Sequence, residues 1–110
     1  MMEEVGLEAL FKKSELIPAI AQDAETGDVL MLGFANIEAV RLTLETGTAW
    51  FFSRSRNCLW NKGETSGNFL RVKDMLCDCD NDTLLLVCTP DGPTCHTGRR
   101  SCFFKRVRGG

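Results

Sequence analysis

The sequence predicts an α+β domain built on a mainly antiparallel sheet with one central helix. Several short apolar runs, rich in β-branched and aromatic residues, are separated by turn signals at hairpin-like spacings. One stretch, residues 37–46, combines helical spacing with helix signals at both ends. The 110 residues, 44% of them hydrophobic, suffice for a single domain, residues 1–110, with a buried core.

The first third of the chain predicts a short helix followed by a hairpin. Weak helical spacing over residues 7–13 predicts the helix. Apolar runs at 17–21 and 29–34 predict two strands, because residues 25–28 between them form a typical turn sequence.

The central helix is predicted over residues 37–46. Asn36 is a favourable N-cap, and Gly47 stands where a left-handed residue commonly ends a helix. Ile37, Val40 and Leu44 recur at intervals of three and four residues and mark one apolar face.

The rest of the chain predicts strands and one long loop. Aromatic content indicates a strand at 48–53, and the polar, glycine-bearing residues 54–68 predict mostly loop. Further strands are expected at 69–79, 83–89 and 101–107.

Charge and composition argue against several classes of protein. The net charge of -2, from 13 basic and 15 acidic residues, disfavours a nucleic-acid binder held by bulk electrostatics. No apolar run approaches the ~20 residues of a membrane helix, and the N-terminus lacks the features of a signal peptide. Six cysteines in an unexported chain indicate metal binding or catalysis more often than disulfides. We therefore expect a cytoplasmic protein with no nucleic-acid or membrane partner.

Asp78, Asp80 and Asp82 recur at every second position near the end of the predicted strand 69–79. Residues two apart on a strand share a face, so their carboxylates are expected to converge while Cys79 faces the other side. Carboxylates suit Mg²⁺, Ca²⁺ or Mn²⁺. The glycine and glutamate that complete an EF-hand loop are missing, which excludes that motif. Ordinary turn residues are the alternative interpretation.

Cys79, Cys95 and Cys102 are the candidate zinc ligands, because thiolates suit zinc. The chain has no Cys-x-x-Cys motif, which argues against a zinc ribbon and a thioredoxin-like redox role. His96 adjoins Cys95 and is a candidate functional residue, although a lone histidine is more often an ordinary polar residue. The remaining cysteines are expected to be structural, clearly so for Cys88 in its apolar run and less clearly for Cys58 and Cys77.

Residues 62–68 resemble a phosphate loop only superficially, because the Gly-x₄-Gly-Lys-Ser/Thr motif is absent. Glycines, hydroxyls and backbone N–H groups can nevertheless hold a phosphate, with basic side chains nearby. A flexible surface loop is the alternative. The candidate phosphate-binding residues are Arg54, Arg56, Lys62, Thr65, Ser66 and Gly67.

Together these segments resemble one family, the phosphoribosyl-AMP cyclohydrolases of histidine biosynthesis. The resemblance spans about residues 16–104, and the joint occurrence of its strings in this order is highly specific. The strings are Trp-Phe-Phe-Ser-Arg-Ser-Arg at 50–56, Leu-Trp at 59–60, Lys-Gly-Glu-Thr-Ser-Gly-Asn at 62–68, Asp-Cys-Asp-Asn-Asp at 78–82, Cys-His-Thr-Gly at 95–98 and Ser-Cys-Phe at 101–103.

The resemblance implies a zinc-dependent hydrolase that opens the adenine ring of 1-(5-phosphoribosyl)-AMP between N1 and C6. It also implies an intertwined homodimer with the metal site at its interface. The implied ligands are Cys95, Cys102 and Cys79 of the partner subunit for zinc, and Asp78, Asp80 and Asp82 for magnesium. Many relatives are fused to a pyrophosphohydrolase domain, whereas this chain is expected to be monofunctional.

The residues fit that chemistry. Zinc on three thiolates with an open fourth position can activate water for attack on the ring carbon. Three thiolates leave the site negative, so His96 is expected to assist by proton transfer. Trp50, Phe51 and Trp60 are all candidates to stack on the purine, and Trp60 is expected to bind the substrate. Arg99 and Arg100 either bind phosphate or form a solvated basic face.

Two other functions compete with this interpretation. A structural zinc or nucleotide-binding module without catalysis would need four protein ligands, and His96 could be the fourth. A zinc hydrolase acting on a different purine nucleotide is the second alternative.

Overall fold

The computed structural model describes residues 3–109 and has the predicted α+β architecture, with mostly antiparallel sheets and few helices. No helix among these residues is both long and apolar enough to cross a membrane. In chain order, the elements are α1 Leu7–Leu10, β1 Ile17–Asp23, β2 Val29–Ala35, α2 Ile37–Thr46, β3 Trp50–Ser53, β4 Cys58–Asn61, β5 Leu70–Cys77 and β6 Leu84–Pro90.

The main sheet has four strands in the order β2-β1-β6-β5. β1 pairs antiparallel with β2 and parallel with β6, and β5 pairs antiparallel with β6. Side chains of β1 alternate between buried and half-buried, because one face of the sheet packs on the core. β2 and β5 are therefore the two edges of this sheet.

The β3–β4 hairpin forms a second sheet that packs against β2. Phe51 of β3 is fully buried, and its ring lies directly over Gly33 of β2. A Cβ atom on Gly33 would lie 2.7 Å from Phe51 Cδ1, so a glycine is required for this close approach. The contact places the turn of the hairpin beside β2.

Helix α2 has the predicted bounds and caps. Asn36 Oδ1 accepts a hydrogen bond from Ala39 N–H (2.9 Å), and Gly47 adopts the left-handed conformation with φ of 78°. The buried Thr43 hydroxyl accepts a hydrogen bond from Trp50 N–H (3.0 Å), which ties the helix to β3.

Several predicted elements differ from the structure, and the strands predicted at 17–21 and 48–53 are instead Ile17–Asp23 and Trp50–Ser53. The first helix covers only α1 instead of residues 7–13, and the strand predicted at 69–79 ends at Cys77. The predicted loop 54–68 contains β4, because its half-buried Leu59 and Trp60 pack against the core. Residues 101–107 form no strand, since the chain leaves the edge of β2 after one backbone hydrogen bond.

Candidate metal and substrate site

Asp78, Asp80 and Asp82 converge in the turn that connects β5 to β6. Their carboxylate oxygens lie within 4.8 Å of one another, and no other group of three metal-binding side chains does so within residues 3–109. Asp78 Oδ1 accepts hydrogen bonds from the N–H groups of Asp82 (3.0 Å) and Thr83 (3.1 Å). The carboxylates thus meet as expected, but the cause is a turn closed by Asp78 rather than alternation along a strand.

This aspartate turn concentrates negative charge at the protein surface. A hydrogen bond from Asp82 N–H lowers the pKa of Asp78, whereas desolvation and the neighbouring carboxylates raise the pKa of Asp82. Lys13 Nζ lies 3.1 Å from Asp80 O, 3.4 Å from Asp80 Oδ2 and 3.5 Å from Asp82 Oδ2. An ammonium group therefore partly balances the carboxylates that a divalent cation would bind.

Cys95 and Cys102 are brought together by a tight loop after β6. Cys95 N–H donates to Arg99 O (3.0 Å), and Gly98 N–H donates to Cys95 O (2.9 Å) with Gly98 in the left-handed conformation. The Thr97 hydroxyl donates to Cys95 Sγ at 3.1 Å. We call residues 94–102 the thiol loop.

The two thiols of this loop differ in acidity. The Thr97 hydroxyl lowers the pKa of Cys95 most, and Cys102 and the charge of Lys62 lower it further. Burial and the neighbouring Cys95 raise the pKa of Cys102. Cys95 is therefore the more readily ionised sulfur of the pair, and thiolates are the form that binds metals.

Cys79 lies apart from this pair. It is exposed in the aspartate turn, and the three predicted zinc ligands do not form a ligand group within the described chain. His96 is exposed in the thiol loop next to Cys95. One chain thus presents two separate clusters of candidate ligands, which we call the half-sites: the aspartate turn with Cys79, and the thiol loop with His96.

A cleft of about 570 Å³ lies between β2 and the β3–β4 hairpin and includes Arg54 and Trp60 in its lining. The Arg54 guanidinium sits 4.0 Å from the ring centroid of Phe34, a contact that the sequence analysis missed. Phe51 belongs to the core, and the Trp50 indole N–H donates a hydrogen bond to the hydroxyl of Thr46 in α2 (3.2 Å). Trp60 is therefore the aromatic candidate that lines the cleft.

The predicted phosphate-binding residues 62–68 form a loop closed by its own hydrogen bonds. Gly67 N–H donates to Gly63 O (2.7 Å), so this N–H is engaged inside the loop. The Thr65 and Ser66 side chains are exposed to solvent, as is Arg56 in the β3–β4 turn. Lys62 acts electrostatically on both cysteines of the thiol loop, which places this end of the segment near the thiols.

Arg100 has a role that the sequence analysis did not identify. Its guanidinium forms ion pairs with Asp23 and Asp28 and donates to the Thr26 hydroxyl (3.0 Å). The Asp23 side chain is only 8% exposed. Arg100 therefore anchors the thiol loop to the β1–β2 turn, whereas the Arg99 guanidinium stacks on the Phe104 ring at 4.3 Å.

The remaining cysteines lie outside both half-sites. Cys88 is fully buried, and burial raises the pKa of its thiol to about 12, which confirms its structural role. The Cys77 thiol donates to Asn81 Oδ1 at 3.5 Å, within the turn that carries the aspartates. Cys58 is exposed at the start of β4.

Comparison with known proteins decides the family. Residues 31–104 match the sequence profile of phosphoribosyl-AMP cyclohydrolase, and this span holds both half-sites and the cleft. The chain belongs to the phosphoribosyl-AMP cyclohydrolase family. It is 58% identical over 93 residues to the phosphoribosyl-AMP cyclohydrolase of Listeria innocua, covering 84% of this chain and 89% of that one.

Two further relatives support membership of the cyclohydrolase family. A phosphoribosyl-AMP cyclohydrolase of Clostridium botulinum is 55% identical over 104 residues, or 94% of each chain. The histidine biosynthesis bifunctional protein HisIE of Campylobacter jejuni is 58% identical over 94 residues, which are 86% of this chain and 45% of that protein. The resemblance predicted from the sequence strings is thus confirmed.

The donor chemistry fits both metals that the resemblance to this family implies. Three converging carboxylates are the hard oxygen donors that magnesium prefers. Cys95 and Cys102 are the soft donors that zinc prefers, and a catalytic zinc usually takes three protein ligands. The thiol loop alone would therefore be one ligand short of such a zinc site.

Proposed function

We propose that the chain hydrolyses the N1–C6 bond in the adenine ring of 1-(5-phosphoribosyl)-AMP, a step of histidine biosynthesis. The observation that carries the proposal is the meeting of Cys95 and Cys102 beside His96, in a member of the cyclohydrolase family. Relatives that are 55–58% identical over most of the chain are phosphoribosyl-AMP cyclohydrolases by name.

The proposed working unit is a homodimer that shares its zinc sites. Each zinc would bind Cys95 and Cys102 of one copy and Cys79 of the other, because a single chain keeps Cys79 apart from the thiol pair. A two-fold symmetric dimer makes two such sites at once. Asp78 and Asp80 flank Cys79, so magnesium on the aspartate turn would lie at the same interface.

His96 is proposed to move the proton that the reaction requires. Zinc, when bound, supplies a Lewis acid that lowers the pKa of water to about 7. His96 would accept a proton from the water that attacks C6 and deliver one to N1 as the N1–C6 bond breaks. C6 then becomes the carboxamide carbon, and N1 stays on the formimino group. The exposure of His96 allows it to contact a substrate that arrives from solvent.

The cleft and its neighbouring loops are proposed to hold the nucleotide. The substrate carries two phosphates, and a chain of net charge -2 must supply positive charge locally. Arg54 is held over Phe34 in the cleft, which orients its guanidinium before substrate arrives. Trp60 would stack on the purine. The remaining phosphate or ribose contacts would come from Arg56, Lys62, Thr65 and Ser66, with Gly67 shaping the loop.

Metal removal tests the proposed reaction directly. Purified protein is expected to open the ring of phosphoribosyl-AMP, followed by absorbance, and to lose turnover by at least about 10²-fold after zinc chelation. Added zinc is expected to restore the rate. No turnover from a folded, zinc-loaded dimer would contradict the assignment and favour a nucleotide-binding module.

The Lys13→Gln substitution is expected to tighten magnesium binding to the aspartate turn. Lys13 contacts the carboxylates of Asp80 and Asp82, so a divalent cation must compete with its ammonium group. Exposed ion pairs are weak, so the affinity for magnesium should rise only severalfold, by about fivefold at most. Titration calorimetry with magnesium at low ionic strength measures the change, which should shrink as salt is added.

Lys12→Gln is the matched control for this measurement. Lys12 is the exposed neighbour of Lys13 and makes no ion pair within the described residues. The control removes the same charge from the same segment without touching the aspartate turn. Equal tightening in both variants would mean that net charge, and not the Lys13 contact, controls the affinity.

A further inference from the structure

An open groove of about 750 Å³ lies on the side of the molecule that carries Cys79. The groove runs between the N-terminal segment, α2 and the edge strand β5. Its lining includes apolar side chains, notably Leu7, Leu44 and Met75, and Leu44 is 61% exposed. Its acidic lining residues are Glu3, Glu4, Asp74 and Asp78. The groove is therefore an apolar channel with a negative border.

The C-terminal segment, residues 103–108, has the complementary composition. Phe103 is 62% exposed and Val107 is 95% exposed, and the basic residues are Lys105, Arg106 and Arg108. Among the described residues, those from 104 to 109 take part in no hydrogen bond or ion pair of the structure. The Phe104 ring contacts the Arg99 guanidinium (4.3 Å) and Lys105 Nζ (5.9 Å), whereas Phe103 and Val107 stay exposed beside Arg106 and Arg108.

We propose that the groove of each copy binds residues 103–108 of a second copy. The aromatic and aliphatic side chains of the segment match the apolar channel, and its three basic side chains match the acidic border. Burial of Phe103 supplies an anchor of the kind that dominates protein interfaces, and the charges fix its orientation.

The position of the segment favours a second copy over the same chain. Ser101 and Cys102 are fixed to β2 by hydrogen bonds to Val29 O (2.7 Å) and Leu30 O (2.8 Å). The groove lies along β5, at the opposite edge of the sheet. The proposal rests on the proposed shared zinc site, in which Cys102 of one copy meets Cys79 of the other. Phe103 directly follows Cys102, and Cys79 lines the groove, so the segment would enter the groove at once.

Substitutions that reverse a charge in the groove, in the segment or in both test the proposal. The protein is the full chain with zinc bound, and sedimentation velocity over a concentration series gives the dimer dissociation constant. Phe103→Ser is expected to raise that constant at least tenfold. Asp74→Lys in the groove and Arg106→Glu in the segment should each weaken the dimer several-fold, and the double variant should recover most of the loss. Glu25→Lys is the control, because it makes the same charge change in the exposed β1–β2 turn.

Each outcome decides the proposal separately from the reaction. Recovery in the double variant, with Glu25→Lys unchanged, supports the groove as the docking site. Unchanged dimerisation in Phe103→Ser and both charge variants overturns it, even if phosphoribosyl-AMP is turned over normally. Lower melting temperatures without any change in dimerisation would show that these side chains stabilise the single chain instead of the dimer, and this also overturns the proposal. A wild-type dimer that does not turn over phosphoribosyl-AMP would contradict the proposed function but not the docking.

Discussion

A mixture of Cys79→Ala and Cys102→Ala chains is expected to regain about one quarter of the wild-type activity, although each variant alone is inactive. In the proposed dimer, one site of a mixed dimer receives both substitutions and the other receives neither. Random mixing makes about half of the dimers mixed, and half of their sites are intact. Each variant alone loses a zinc ligand in every site, and turnover should fall by about 10³-fold.

The control for this experiment is a mixture of Cys95→Ala and Cys102→Ala chains. Both residues lie in the thiol loop, so every mixed site carries one defect and no activity should return. Cys58→Ala, which removes an exposed thiol outside both half-sites, should behave as wild type. Activity that fails to return in the first mixture, although mixed dimers form, would contradict a zinc site shared between copies.

Local signals predicted the helix and most strands well. Asn36 and Gly47 act over a few residues, so the bounds of α2 follow from the sequence around them. β4 was missed because its strand character comes from packing of Leu59 and Trp60 against a distant core, within an otherwise polar string. The strand expected at 101–107 fails for the opposite reason, because β-rich composition without a pairing partner does not make a strand.

The sequence indicated which residues belong to the candidate site, but it did not predict how they are arranged in space. Spacing suggested that the aspartates would meet, yet the meeting depends on the turn that Asp78 closes with Thr83. Arg100 and Asp23, which form an ion pair, are 77 positions apart in the sequence. Lys13 and Asp80, which are also in contact, are 67 positions apart. Local patterns carry no information about such contacts. The separation of Cys79 from the thiol loop likewise becomes visible only in three dimensions.

The His96→Ala substitution is expected to lower kcat by about 10²- to 10⁴-fold while zinc stays bound. His96 is proposed to transfer a proton rather than to bind metal or phosphate, so KM should change much less than kcat. His96→Asn should lose a similar amount, because an amide keeps polarity but cannot carry the proton. Steady-state kinetics together with zinc analysis of each variant measures both effects.

Rescue by free imidazole separates proton transfer from a structural role. The exposure of His96 next to Cys95 means that its removal opens a space that small bases from solvent can reach. Added imidazole should therefore raise kcat of His96→Ala with saturation and leave the wild-type rate unchanged. Near-normal kcat with intact zinc would refute the proton-transfer role. Loss of zinc from His96→Ala would instead make His96 a fourth ligand, and a closed four-ligand site would favour a structural zinc module over a catalyst.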